Sequence, residues 1–277
     1  MNTNLKNKAT LALLVAMLIL SPLCNINAQS SEDEFGLWTT FEASKKINKK
    51  LKLEFEAELR TIDGIKEIDR VSVGAGASYK LKKWLKASAG YVFIYSHKLD
   101  SKNIKDVIDE ENGIHDYNID HSYWTERNRF HITLSGDYKI GRVELSLRER
   151  VQYTRTNSAT TSETKYRWEY TDIIENVGDY ISETGPEFKN TKEDTTLRSR
   201  LSAKWDISKC KITPFASVEL YTRLDEWKGC DKLRYRIGAS YKINKKNSVS
   251  MFYLYQNTHD DDEPKGHAIG LGYSLDL

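Results

Sequence analysis

Glu54, Glu56, Glu58 and Arg60 stand at alternate positions of one segment. Arg148 and Arg150, Arg198 and Arg200 (with Lys204), and Arg234 and Arg236 repeat that spacing in three others, and Glu219 stands in a further one. In an extended strand this spacing puts a whole row on one face. Acidic and basic rows facing each other across a narrow space have two uses. They pair, and so fill and stiffen the space, because unpaired charge there is costly. Or they line a passage and select the solute that crosses it. A small enclosure favours pairing, since small barrels are filled by side chains. Glu149 is the exception: strict alternation puts it on the opposite, apolar face, which a bulge or a position near a rim would explain.

Other reactive types are sparse. A hydrolase needs a nucleophilic hydroxyl, a His base within reach and an orienting partner. His121 adjoins Ser122, but neighbouring strand residues face opposite sides. His131 shares a face with Thr133 and Ser135, a weak arrangement for catalysis. No catalytic residue is assigned, and no cofactor is expected. Asp260, Asp261, Asp262 and Glu263 form an oxygen-rich run suited to a hard cation such as Ca²⁺. Segment 98–124 adds Asp100, Asp106, Asp109, Glu110, Glu111, Asp116 and Asp120. Neither has EF-hand spacing, so a solvated acidic loop is the simpler reading. No zinc spacing, phosphate-binding loop or dinucleotide fingerprint occurs.

The elements that must hold these rows are alternating segments. Val71, Val73, Ala75, Ala77 and Tyr79 are separated by Ser72, Gly74, Gly76 and Ser78. The same two-faced pattern predicts strands near 35–44, 51–61, 69–80, 85–97, 125–138, 142–154, 195–206, 212–223, 231–243, 248–257 and 266–277. Short Lys-rich connectors, such as Lys45–Lys50 and Asn244–Asn247, alternate with longer ones at 62–68, 98–124, 155–194, 224–230 and 258–265. An apolar face towards lipid and a polar face inward, with short turns at one end and longer loops at the other, is the layout of an antiparallel transmembrane β-barrel of about 10–12 strands. Eleven segments are read, whereas bacterial single-chain barrels have an even number, so 10 or 12 wall strands are also open.

Residues 1–28 read as a cleaved export signal: Lys6 and Lys8, an apolar stretch from Ala9 to Leu20, and the small residue Ala28. Residues 29–277 read as one barrel domain. The formal charge of +2 excludes a strong global field for nucleic acid. Sixteen Tyr and six Trp suit aromatic girdles at two interfaces. Beyond the signal only Cys210 and Cys230 remain. The topology puts one at a short turn and the other in a loop at the opposite end, too far apart for a disulfide, so two free thiols are expected.

The order of several short motifs resembles a known family. Glu34-Phe35-Gly36-Leu37-Trp38 is followed by Glu42-Ala43-Ser44-Lys45-Lys46, a Glu-rich strand ending in Arg60, and Asp69-Arg70. Glu126-Arg127-Asn128-Arg129, Gly141-Arg142-Val143, Leu197-Arg198-Ser199-Arg200 and Asp231-Lys232-Leu233-Arg234-Tyr235 come later. Together they are similar to the Gram-negative outer-membrane proteins of domain-of-unknown-function family 2490. The resemblance implies an outer-membrane barrel and supplies no catalytic residues. The expected setting is outer-membrane lipid and lipopolysaccharide, reached through barrel-insertion machinery that engages the C-terminal strand. The expected role is structural or binding, with a charge-paired lumen. A narrow channel for small ions or solutes is the alternative, and a lipid-modifying enzyme comes third.

Overall fold

The structure, a computed structural model, describes residues 34–110, 112–172, 177–225, 230–258 and 265–277. The expected signal segment and the acidic run 260–263 lie outside the described residues.

Fifteen strands follow one another: β1 (Glu34–Lys46), β2 (Leu51–Ile62), β3 (Glu67–Lys82), β4 (Leu85–Lys98), β5 (Ser101–Asp109), β6 (Ile114–Asp120), β7 (Tyr123–Ile140), β8 (Val143–Thr156), β9 (Ala159–Asp172), β10 (Val177–Lys189), β11 (Lys192–Trp205), β12 (Ile212–Arg223), β13 (Cys230–Lys242), β14 (Asn247–Thr258) and β15 (Gly266–Asp276). Eleven of them close a barrel in the order β1-β2-β3-β4-β7-β8-β11-β12-β13-β14-β15. The other four form a separate sheet, β10-β9-β6-β5.

The strand pattern follows from alternation. Phe55, Leu59, Val73, Ile132, Ile237, Met251 and Leu271 are exposed on the outer face of the wall. Arg70, Ser78, Thr133, Gln152, Glu219 and Arg234 are buried. The sides therefore sort as in a barrel that is apolar outside and polar inside. The short turns repeat one device. Asn48 Oδ1 accepts from the backbone N–H groups of Lys50 and Leu51, and Asn244 Oδ1 accepts from those of Lys246 and Asn247. These are Asx turns, in which the side chain stands in for a backbone acceptor. Gly141, at φ +59°, supplies the left-handed residue between β7 and β8.

The closing seam corrects the expectation of a wholly antiparallel barrel. β1 pairs with β15 in parallel, Glu34 opposite Gly266 through Ser44 opposite Asp276. The reason is parity. Strands that run alternately up and down leave the first and last antiparallel only when their number is even. With eleven, both ends run the same way, and closure has to be parallel. Phe41 and Tyr273 stack across this seam with centroids 5.9 Å apart. The eleven segments read in the sequence are the eleven wall strands, and the alternatives of 10 and 12 fall away.

The two segments read as long loops, 98–124 and 155–194, are largely strands. β5, β6, β9 and β10 belong to a second compact unit, Tyr95–Arg127 with Thr156–Lys192. The 155–194 segment holds the hairpin β9–β10, with Tyr180 opposite Trp168. Inside this unit Tyr117 stacks on Tyr166 at 4.6 Å and meets Tyr180 edge-on at 5.3 Å. Asp116 accepts from the Trp168 backbone N–H at 2.8 Å, and Asp120 pairs with Lys189 at 2.8 Å. Those acids serve the sheet. Among the described residues no group of three or more His, Cys, Asp or Glu is placed to hold a metal ion.

Cys210 is exposed and free, so it is not joined to Cys230.

Candidate functional site

The lumen is built in two parts. The first gathers around Glu219, at the middle of β12 and 2 % exposed. Its Oε1 accepts from Arg148 Nη2 on β8 and, at 3.1 Å, from Arg198 Nη2 on β11. Its Oε2 accepts from the Tyr221 hydroxyl at 3.1 Å and lies 3.8 Å from Arg234 Nη1 on β13. Three strands therefore converge on one carboxylate. An isolated charge so buried would be strongly disfavoured, and its paired, hydrogen-bonded state is what lets it remain there.

Aromatic rings fill the gaps between the guanidinium groups. Arg60 lies 3.8 Å from the Trp38 ring centroid and Arg234 lies 4.7 Å from it on the lumen side. Arg198 and Lys232 sit 4.6 and 4.3 Å from the Tyr221 ring. Such cation–π contacts are strongest where water is excluded. Arg60 also pairs with Glu58 at 2.7 Å, and Arg234 Nε donates to Gln256 at 3.0 Å. Arg236 sits over Phe252 at 5.1 Å. Trp38, Phe252, Leu254 and Ala268 form a buried apolar cluster beside this network, with Phe215 against it. The Phe252 ring needs a glycine facing it: a Cβ on Gly270 would stand 2.0 Å from its Cζ.

The second part is a cavity of about 580 Å³ in the half of the lumen nearest the short turns. β8 and β11 give it a mostly basic wall: Arg148, Arg150, Arg200 and Lys204, with Glu144 at its end. β1 and β2 give it an acidic one: Glu42, Glu54 and Glu56. In the strand order β1 is five steps from β8 one way and five from β11 the other, so the two walls face each other. Room comes from Gly74 and Gly76 on β3. A Cβ on Gly74 would meet the Glu56 side chain at 2.9 Å, and one on Gly90 the His131 ring at 2.8 Å.

The charged rows are thus split between the two parts. Glu58, Arg60, Arg148, Arg198, Glu219 and Arg234 join in the central network. Glu54 takes local partners instead, Ser78 at 3.0 Å, Lys52 at 3.8 Å and Lys86 at 4.0 Å. Among the described residues Glu56, Arg150, Arg200 and Arg236 have no ion-pair partner within 4 Å. Sequence reasoning missed Trp38, Tyr221, Phe252 and Leu254, because it sought one apolar face per strand. The signal was present in the unbroken run Met251-Phe252-Tyr253-Leu254-Tyr255, which leaves neither face polar in the middle of β14.

Glu149 does lie outside the lumen row. It sits mid-strand in β8, away from a rim, and its Oε2 accepts from the Ser199 hydroxyl of β11 at 2.6 Å. His131 points into the cavity, its Nδ1 buried and without a hydrogen-bond partner. In the second unit His121 Nε2 contacts Thr164 Oγ1 at 2.7 Å, and its Nδ1 lies 3.9 Å from Asp100. That is an acid, an imidazole and a hydroxyl in sequence, the arrangement that activates a nucleophile. Yet Thr164 is 6 % exposed and bonded onward to Thr184 at 2.8 Å, so its oxygen is not presented to a substrate. Ser122 enters this chain only through its backbone N–H, which donates to Asp100 at 2.7 Å.

Comparison of the chain with curated proteins returns no match. A family model does match, over residues 35–266, and it spans both the barrel and the second unit. With the eleven-stranded closed wall and its charged interior, this places the chain in the family described as protein of unknown function (DUF2490).

Proposed function

We propose that this protein is a Gram-negative outer-membrane β-barrel whose lumen is sealed, and that it serves a structural or binding role rather than open conduction. The observation that carries the seal is the central network. Glu219 is held by guanidinium groups from three strands, and Trp38 and Tyr221 are wedged among the arginines. Paired charge and packed rings leave little of the lumen section at that level for an ion. The membrane setting is supported by the exposed apolar outer face, and by Tyr235, Tyr241, Tyr253 and Trp205 upon it. On this reading lipid and lipopolysaccharide cover that face. The C-terminal β15, whose free edge is taken by β1 only on closure, is the strand that insertion machinery would engage. The signal of residues 1–28 would direct export.

The test has two stages. The full exported chain, extracted from outer membranes in detergent, should migrate differently in SDS gels before and after boiling. It should then remain silent in planar bilayers at all voltages. Recovery in the soluble periplasmic fraction without a heat-dependent shift would overturn the membrane reading. Steady single-channel steps would overturn the seal and favour the narrow channel.

A further inference from the structure

We propose that the basic wall of the lumen cavity, formed by Arg148, Arg150 and Arg200, binds a single oxyanion group, carboxylate or phosphate, carried by a small solute. The proposal rests on the barrel reading above but not on the seal.

The first argument is surplus charge. A buried unpaired charge is costly unless something offsets it, and in the plug Arg236 has the Trp38 and Phe252 rings for that. Arg150 instead donates Nε to the neutral Thr133 hydroxyl at 2.9 Å and has no acid within 4 Å among the described residues. Arg200 makes no side-chain hydrogen bond to any of them, and its Nε is buried without a partner. The Nε of Arg148 is likewise without one. The nearest acid in register, Glu219 opposite Arg200, is already taken by Arg148, Arg198 and Arg234.

The second argument is room. The cavity in front of these groups has the volume of small-molecule sites. Gly74 and Gly76 line it without side chains, and a Cβ on Gly74 would run into the Glu56 side chain. Its lining continues to Ser44, Lys52 and Asp276 beside the short turns, which gives a solute an approach from that end.

The third is recognition. Arg148 and Arg150 of β8 and Arg200 of the neighbouring β11 line the same cavity, and planar guanidinium groups match the paired oxygens of a carboxylate or phosphate. The facing acids Glu42, Glu54 and Glu56 disfavour a second anionic group, so the solute would carry its negative charge at one end.

The experiment is calorimetric titration of the full exported chain, folded in detergent micelles, with inorganic phosphate and separately with acetate. Sodium chloride holds the ionic strength constant. Saturable binding of at least one of them is expected, and the stronger one names the natural head group. Arg150→Gln and Arg200→Gln should each weaken it at least tenfold, while Lys246→Gln in a short turn leaves it unchanged. Each variant is first checked for the heat-dependent gel shift. A parent that shows the shift and binds neither anion overturns the proposal, as do folded arginine variants that bind like the parent. A parent without the shift refutes the membrane-barrel reading instead. If the variants do not fold, the parent still decides. Bound phosphate or acetate should slow phenylglyoxal modification of Arg150 and Arg200, but not of Arg142 in the β7–β8 turn. Equal rates with and without the anions would overturn the proposal.

Discussion

Glu219 is a single carboxylate on which three strands depend. Its neutral isostere keeps the shape but withdraws the charge that Arg148, Arg198 and Arg234 share. Removing one partner of a buried ion network leaves the others uncompensated, typically at a loss of about 3–5 kcal/mol. Glu219→Gln should therefore lower barrel stability by about that amount, read as a fall in the urea midpoint by tryptophan fluorescence. Glu54→Gln is the contrast, because its partners Lys52 and Lys86 are half exposed and such pairs contribute about 1 kcal/mol or less. Equal losses from the two variants would mean that burial at Glu219 is not what makes its pairing matter.

The seam between β1 and β15 fixes the strand count, and it can be tested directly. In the parallel register Thr39 faces Leu271 and Phe41 faces Tyr273. A Thr39→Cys, Leu271→Cys pair should cross-link under mild oxidation in a Cys210→Ser background. A Phe41→Cys, Ile269→Cys pair should not, because an offset of four residues exceeds the reach of a disulfide. An antiparallel seam through Thr39 and Leu271 would make the second pair close as readily as the first. The sequence shows the strands but not this seam: alternation tells which residues share a face and says nothing of which way a chain runs. The strands of the second unit were hidden for another reason. β9, Ala159–Asp172, is mostly polar on both faces, and β5 interleaves Lys and Asp with Ile and Val without a clean period. Their pairing is carried by Tyr117, Tyr166, Trp168 and Tyr180 together with ion pairs, none of which leaves a two-residue pattern. One of those pairs makes a pH prediction. Burial works to lower the pKa of Lys189, but the hydrogen bond and charge of Asp120, with Glu187 beside it, prevail and raise it above 10.5. A raised folded-state value means that the pair stabilises fully below the ordinary lysine pKa and is lost as pH climbs through the raised one. Lys189→Met should thus speed proteinase K cleavage within residues 95–127 and 156–192 about two- to fivefold at pH 8, and the difference should shrink as pH climbs past the ordinary lysine value. A difference that persists at high pH would assign the effect to packing of the lysine stem.

At the scale of the whole molecule the two halves of the lumen are opposed in purpose. Near the middle, guanidinium groups and rings packed around Glu219 fill the space; towards the short turns, Arg150 and Arg200 have no ion-pair partner among the described residues and space is kept. A barrel stiffened for its own sake would be filled throughout, as small barrels are. The retained cavity of about 580 Å³ therefore fits a wall that holds something, closed behind by the plug. If Trp38 and Tyr221 complete that closure, shortening both should open it. A Trp38→Ala, Tyr221→Ala variant that still shows the heat-dependent gel shift should produce small conductance steps where the parent is silent. The steps should favour anions, since Arg148, Arg150, Arg198 and Arg200 remain along the path. A folded but silent variant would move the seal to the neighbouring apolar cluster of Phe252, Leu254 and Ala268. In that case the arginines would hold their charge for the cavity alone, and Phe252→Ala, which removes the ring packed against Gly270, becomes the substitution that opens the lumen.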